Sequence, residues 1–342
     1  MVIGRNTSPY LVNRLVDYLG AGGLSLFVLA YYGLVYRSYN DFQVSSTALS
    51  LVWGLSWLVN WPHFSASLDR LYGGAESVHH AWPLKVVLPI FIAGLTLFAF
   101  LSPVGFAPYF VKVFLLWSLY HYAGQAAGFT LIYAARAGVN VGRWEKKLLW
   151  ATAYAAALHQ WAMLESVGGL TQIREVTIPL MGIPPWVTSV TYGCSMLLAS
   201  SLAIFWLFQK RPFSLLIALP IAAHLAWFVI GSRVFSFQAF VPFFHGLQYL
   251  LLTGSLVPRM PRLLAFWSAR NILAGAFLFG GLPVLAEWLG AAPAFASPVL
   301  FAAVQIHHFA IDGRIWRARR LRVATSAPDA PGTEVESSLR AA

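Results

Sequence analysis

Residues 84–102 read LKVVLPIFIAGLTLFAFLS, and the only charged side chain in this stretch is Lys85, close to its beginning. As a helix the stretch would rise about 29 Å at 1.5 Å per residue, close to the roughly 30 Å thickness of a bilayer's hydrocarbon core. An apolar run of this length with so little charge is typical of a transmembrane helix. The stretch therefore predicts a membrane span.

Comparable apolar runs occur on both sides of this stretch along the chain. Hydrophobic residues make up 58% of the 342 residues and charged residues only 10%, whereas a soluble domain carries about 25% charged residues. We therefore predict an all-α, polytopic helical bundle of about ten transmembrane helices. The predicted spans are 19–36, 47–66, 84–102, 108–133, 146–166, 187–208, 213–231, 236–256, 263–289 and 296–316.

The two ends of the chain differ in composition. Residues 1–322 are predicted to form a single transmembrane domain, because no linker or soluble segment interrupts the apolar runs. Residues 323–342 are rich in small and polar side chains and predict a disordered cytoplasmic tail. Between the fifth and sixth spans, residues 167–185 predict an external loop with enough apolar character to lie in the membrane interface.

Basic residues predict the orientation, because Lys and Arg accumulate in cytoplasmic loops. With a cytoplasmic N-terminus, the opposite loops hold only Arg37, Arg174 and Arg233. Both termini are therefore predicted to be cytoplasmic, most simply in a bacterial cytoplasmic membrane. The net charge of +11 is assigned to this asymmetry and not to nucleic-acid binding. The cytoplasmic side holds Arg70, Lys85, Arg136, Arg143, Lys146, Lys147, Lys210, Arg211, Arg259, Arg262 and the five arginines within 314–322.

Histidine placement points to a functional site. Ionisable side chains at membrane depth are costly, so each one is a candidate for function. Seven histidines are predicted to meet in one layer in the middle or cytoplasmic half of the bilayer and to bind metal: His63, His79, His80, His121, His245, His307 and His308. The remaining two, His159 and His224, lie nearer the outer half and could form a separate pair.

Polar side chains one helical turn from three of these histidines strengthen the prediction. Gln125 follows His121 by four residues, Gln248 follows His245 by three, and Asp312 follows His308 by four. Residues at these spacings share a helix face. A metal-bound imidazole usually donates its second N–H to such a group. We therefore predict that the two glutamines and the aspartate support the ligands or serve as additional ligands.

The donor set indicates the kind of metal. Imidazoles with at most one carboxylate suit iron, copper or zinc better than calcium or magnesium. The lone cysteine, Cys194, lies within an apolar run, so a thiolate site and a disulfide framework are both excluded. We predict a transition metal, iron first and as many as two ions, with copper and zinc as alternatives.

The number and depth of these histidines, with the adjacent pairs 79–80 and 307–308, resemble the histidine-rich integral-membrane di-iron enzymes. That group contains the fatty acid desaturases, hydroxylases and alkane hydroxylases. The chain departs from their pattern because it has no HxxxH or HxxHH box. The resemblance implies a di-metal oxidoreductase that acts on a lipid or another apolar substrate.

No flavin, nicotinamide or iron–sulfur motif is present, so an oxidoreductase of this kind would need a separate cytoplasmic electron donor.

Two other function classes stay open from the sequence. A proton- or metal-ion-coupled transporter would instead distribute its histidines across the full depth of the bilayer. A haem or quinone electron-transfer subunit would place facing histidine pairs along two helices.

Overall fold

The computed structural model describes residues 8–35, 42–73, 82–166, 169–209, 214–258 and 260–323. Within these ranges ten long helices each coincide with one predicted span, with ends that differ by a few residues. The helices are α1 (14–35), α2 (42–72), α3 (Pro83–Leu101), α4 (Ala107–Arg136), α5 (Arg143–Leu164), α6 (Pro185–Phe208), α7 (Leu215–Ile230), α8 (Val241–Gly254), α9 (Pro261–Trp288) and α10 (Pro293–Val323). A one-turn helix, Phe235–Gln238, precedes α8. The predicted tail lies outside the described residues, apart from Val323.

Five of these helices are long and apolar enough to cross a membrane, among the residues that the structure describes. They are Arg14–Leu34, Pro83–Leu101, Pro185–Phe208, Pro261–Trp288 and Pro293–Gly313. The prediction of a helical integral membrane protein is confirmed at this level. The remaining long helices are shorter or more polar, partly because they carry most of the histidines discussed above.

Prolines explain several irregular turns in these helices. Proline has no N–H to donate to the carbonyl four residues earlier, and its ring crowds that carbonyl. Three five-residue π-helical turns end two residues before a proline, in α2, α3 and α9. In α2 this turn is Ser56–Asn60, with Pro62 and His63 directly after it. Such turns are frequent at functional sites.

The interior of the bundle is formed by α2, α4, α8 and α10. Helix α10 packs against α2, α3, α4 and α9, and α8 packs against α1 and α2. In the most apolar 18-residue stretch of each helix, 56% of the residues are buried in α10, against 11% in α3 and in α6. Helices α3 and α6 therefore lie at the periphery, and α10 lies inside.

A close backbone contact fixes α2 against α9. A Cβ atom on Gly275 would come within 2.6 Å of the carbonyl carbon of Trp61 and 2.8 Å of the nitrogen of Pro62. Only glycine permits this approach. Nearby, the Ser65 hydroxyl donates to the carbonyl of Asn271 at 2.7 Å. These contacts hold the segment that carries His63.

A small hairpin accompanies the helices. Strands β1 (Gln172–Ile173) and β2 (Val176–Thr177) pair antiparallel between α5 and α6. Val176 and Ile178 are buried in an apolar cluster that includes residues of α3, α4 and α10. The segment predicted to lie in the membrane interface therefore packs onto the bundle, within its described part from residue 169 onward.

Candidate metal centre

Four histidines from the four interior helices meet at one point. The ring centre of His63 on α2 lies 5.1 Å from that of His245 on α8 and 5.0 Å from that of His308 on α10. The ring centre of His121 on α4 lies 5.0 Å from those of His245 and His308. The four imidazoles thus form a closed ring of edge-to-face neighbours. His63, His245 and His308 are almost wholly buried.

Hydrogen bonds determine which nitrogen is available on two of the rings. Nδ1 of His63 contacts the carbonyl oxygen of Asn60, one turn earlier on α2, so it must carry the proton. Nδ1 of His308 lies 2.8 Å from the Ser67 hydroxyl. That hydroxyl donates its own proton to the Phe64 carbonyl at 2.7 Å, so it accepts from His308. In both rings the lone pair is therefore on Nε2.

These lone pairs have no hydrogen-bond partner within the described part of the chain. The buried Nε2 atoms of His63, His121 and His308 are unsatisfied, and so are both ring nitrogens of His245. Buried polar atoms are nearly always paired, so each such group requires an explanation. Because a neutral imidazole carries one lone pair and one N–H, these five nitrogens can present up to four lone pairs to a bound group.

A carboxylate lies beside the four rings. Oδ2 of Asp312 is 3.8 Å from Nε2 of His308, one turn along α10. Oδ1 of Asp312 accepts a hydrogen bond of 2.8 Å from the hydroxyl of Tyr249 on α8. The Tyr249 ring packs edge-on against His63 and His308. Asp312 is thus held from a second helix and oriented toward the site.

The donor atoms lie close enough together to hold a metal ion. Two imidazoles bound to one ion at about 2.0–2.1 Å from each nitrogen have ring centres roughly 5 Å apart, which matches the separations of the four neighbouring pairs above. Ligand atoms of His63, His245 and His308 lie within 4.8 Å of one another, and so do those of His121, His308 and Asp312. His308 belongs to both groups and offers Nε2, because its Nδ1 is bonded to Ser67.

The two predicted supporting glutamines bind backbone and each other, not the imidazole rings. The Gln125 amide donates to the carbonyl of His245 and to the Gln248 side-chain oxygen, both at 3.0 Å. The Gln248 amide then donates to the Ala21 carbonyl at 2.8 Å. That carbonyl precedes Gly22, where α1 is broken by a φ of +150°. The glutamines therefore position α8, which carries His245, against α4 and α1.

The other predicted metal ligands lie apart from the four rings or outside the described structure. His307 precedes His308, and successive residues point about 100° apart on a helix. It lines an apolar cavity next to the site, and its buried Nε2 has no partner among the described residues. His79 and His80 lie outside the described residues.

His159 and His224 each bond to a neighbouring helix. Nδ1 of His159 on α5 lies 3.1 Å from the Thr191 hydroxyl on α6. Nε2 of His224 on α7 donates to the Ala153 carbonyl on α5 at 2.9 Å. These interactions give each ring a packing role, and the buried Nδ1 of His224 has no partner among the described residues. Among the described residues the two rings have different partners and belong to no common ligand group.

Two residues that complete the site were not singled out from the sequence. Ser67 fixes the tautomer of His308 from another helix, and Asn60 does so for His63 through its carbonyl. Ser67 follows His63 by four residues, so the spacing rule that selected Gln125 would also have selected Ser67. Its partner on α10 could not have been found in this way, because that contact joins distant parts of the chain.

Replacing Ser67 by alanine is expected to weaken metal binding by about 10- to 100-fold, the usual cost of losing a group that orients a ligand. The buried Nδ1–H of His308 would lose its acceptor, and the ring would lose its fixed orientation. Ser195→Ala is the matched control, because the Ser195 hydroxyl is equally buried but donates only to the Thr191 carbonyl in the described contacts. Chelator competition measures both affinities. Equal affinities would contradict the assigned role.

Comparisons of the chain with known protein families, with curated proteins and with solved structures find no significant match. The function must therefore be argued from the geometry and chemistry of this site.

Proposed function

We propose that this protein is a membrane-embedded, metal-dependent oxidoreductase of the oxygenase, hydroxylase or desaturase type. The observation that carries the proposal is the closed ring of four imidazoles with their unsatisfied nitrogens in the bundle interior. An apolar cavity bordered by His308 supports a lipid or another apolar substrate.

The residues that would hold the ion are His63, His121, His245 and His308, with the Asp312 carboxylate beside them. Iron is the preferred ion, with copper and zinc as alternatives, because neutral imidazoles and one carboxylate suit these metals. We propose one ion in place of the two implied by the resemblance to the di-iron enzymes. When bound, iron would supply redox chemistry and oxygen activation, and electrons would come from a separate cytoplasmic donor.

The protein's own residues prepare the site for such an ion. Tyr249 and Ser67 orient Asp312 and His308 through hydrogen bonds. Phe64 packs against His63 and His308, and Phe309 packs against His121. These aromatic rings exclude water from the imidazoles, which protects a reactive centre from side reactions.

The arrangement favours an enzyme over the two alternatives. A transporter needs polar groups distributed along a path, whereas four of the histidines converge on one point. A haem needs a flat gap between its axial imidazoles. Ring centres about 5 Å apart, in edge-to-face contact, leave no such gap.

We further propose ten spans with both termini cytoplasmic, in a bacterial cytoplasmic membrane. Each of the ten helices lies on a predicted span, and the basic loops follow the positive-inside rule. A reporter fused after Gly138 is expected to be cytoplasmic, and one fused after Gly290 external. The reverse result at Gly138 would contradict the orientation, because four basic residues lie within 136–147.

Metal analysis of the detergent-purified protein tests the proposed site. We expect about one tightly bound transition-metal ion per chain, which one four-imidazole set can hold. Mass spectrometry gives the element and its stoichiometry, and absorption and paramagnetic resonance spectra give its environment. A monodisperse protein that neither contains metal nor binds added iron, copper or zinc would refute the proposal.

A further inference from the structure

A cavity of about 590 Å³ lies between α2, α3, α9 and α10, next to the four histidines. On α3 its wall extends from Pro89 to Phe100, a distance of roughly 16 Å along the helix axis. This volume lies within the range of about 300–1,000 Å³ that is usual for small-molecule sites. The wall includes Leu68, Ile92, Leu97, Leu278, Leu300 and Val304.

Polar groups of the wall are almost all engaged within the protein. The Thr96 hydroxyl donates to the Ile92 carbonyl at 2.8 Å, and the Tyr72 hydroxyl donates to the Lys85 carbonyl at 2.9 Å. The other polar side chains of the wall are His307 and His308. A polar group inside the cavity would therefore lose its hydration and could regain hydrogen bonds only at His307 or His308, whereas a hydrocarbon has no such hydration to lose.

The cavity connects the candidate metal centre with the outer surface of the bundle. At its inner end lie His308 and Phe64, which are 1% and 3% exposed. At α3 lies Leu97, which belongs to the wall and is still 61% exposed. Helix α3 belongs to the periphery and is among the most apolar in the chain. With α3 spanning the bilayer, the opening at Leu97 would face the bilayer hydrocarbon.

We propose that this cavity, here called the α3–α9 cavity, binds the hydrocarbon chain of a lipid that enters sideways from the bilayer between α3 and α9. The chain lies along α10 with one of its carbons beside His308, and the polar end of the molecule stays outside the cavity. This inference rests on the proposed function, because it identifies the substrate of that site as a linear lipid hydrocarbon.

A photolabelling experiment tests the cavity independently of the metal. The full chain is placed in lipid nanodiscs after its metal has been removed with a chelator. A straight-chain alkane with one mid-chain diazirine is added over a range of concentrations, and labelled peptides are located by mass spectrometry. We expect saturable labelling at Leu278 and Leu300, and labelling that rises in proportion to the probe at lipid-facing Leu197 on α6.

Variants locate the bound probe. Leu300→Trp fills the cavity and is expected to lower saturable labelling at Leu278 at least tenfold. The matched control Leu197→Trp, at a site 68% exposed, should leave this labelling unchanged. Ala303→Phe narrows the same wall and provides a second test if Leu300→Trp does not fold. Monodisperse elution verifies that each variant is intact.

The outcomes separate this inference from the proposed function. Labelling at Leu278 that never saturates, or that both cavity variants leave unchanged, would overturn the inference even if the protein binds metal. Saturable labelling that Leu300→Trp removes would support the cavity even if metal analysis refuted the metal centre.

Discussion

Alanine in place of His245 is expected to empty the candidate metal centre. Loss of a residue that merely orients a ligand already costs about 10- to 100-fold in metal affinity, so removal of a ligand should cost more than 100-fold. His245 has two ring neighbours in the cluster, and neither of its nitrogens has another partner among the described residues. His121→Ala and His308→Ala should have effects of the same size, measured as metal per chain after purification.

Two control variants make this prediction specific. His159→Ala removes a buried histidine that bonds to Thr191, away from the cluster, and should leave the metal content unchanged. His307→Ala removes the sequence neighbour of His308 and should also retain the metal, because His307 is not in the ring of four. Wild-type metal content in His245→Ala, His121→Ala and His308→Ala would refute the site. Metal loss in His307→Ala alone would show that the ligand on α10 is His307 and not His308.

Much of the helical arrangement could be predicted from the sequence, because apolar length is a direct physical requirement for crossing a bilayer. The span predicted at 84–102 and the helix Pro83–Leu101 differ by one residue at each end. The π-helical turns were not predicted, although prolines such as Pro62 and Pro283 mark where the regular ladder must change. Proline positions therefore indicate where these helices depart from a regular α-helix, which hydropathy does not show.

The site could be predicted only in part. Depth along each span, which depends on local sequence, predicted one level for His63, His121, His245 and His308, and neighbouring rings of these four lie about 5 Å apart. Which face each helix turns inward depends on packing between distant segments. The sequence could therefore not show that His308 joins the other three rings and that His307 does not. The Ser67–His308 contact joins residues 241 positions apart, and no local pattern contains it.

The spacing rule also assigned the two glutamines to the imidazole rings, which they do not bond in the described structure. Gln125 shares a helix face with His121, but its amide donates to the backbone of His245 and to Gln248. The reason is the break in α1 at Gly22, next to a carbonyl that Gln248 satisfies. A buried carbonyl is costly without a donor. The requirement for that donor could not be predicted without knowing that α1 packs against α8.

Breaking the buried ion pair between Lys112 and Glu165 is expected to cost about 3–5 kcal/mol of stability, because one charge would be left buried and unpaired. Nζ of Lys112 on α4 lies 2.8 Å from Oε2 of Glu165 and donates to the Pro179 carbonyl at 2.6 Å. The same carboxylate oxygen accepts from the Met181 N–H at 2.9 Å. The pair thus ties the segment after the hairpin to the bundle.

The size of this effect depends on the unpaired charge, which a set of variants can isolate. Lys112→Met and Glu165→Gln should each lower the free energy of unfolding by several kcal/mol. The double variant Lys112→Met/Glu165→Gln should lose less than the sum of the two, because it buries no unpaired charge. Exposed Lys146→Met is the control and should stay within about 0.5 kcal/mol of the unmodified protein. Denaturant unfolding in detergent measures all four variants.

Lys112→Met could instead lower the free energy of unfolding as little as Lys146→Met does. In that case the ion pair would not be what holds this segment on the bundle, and the apolar contacts of Val176 and Ile178 would have to do so.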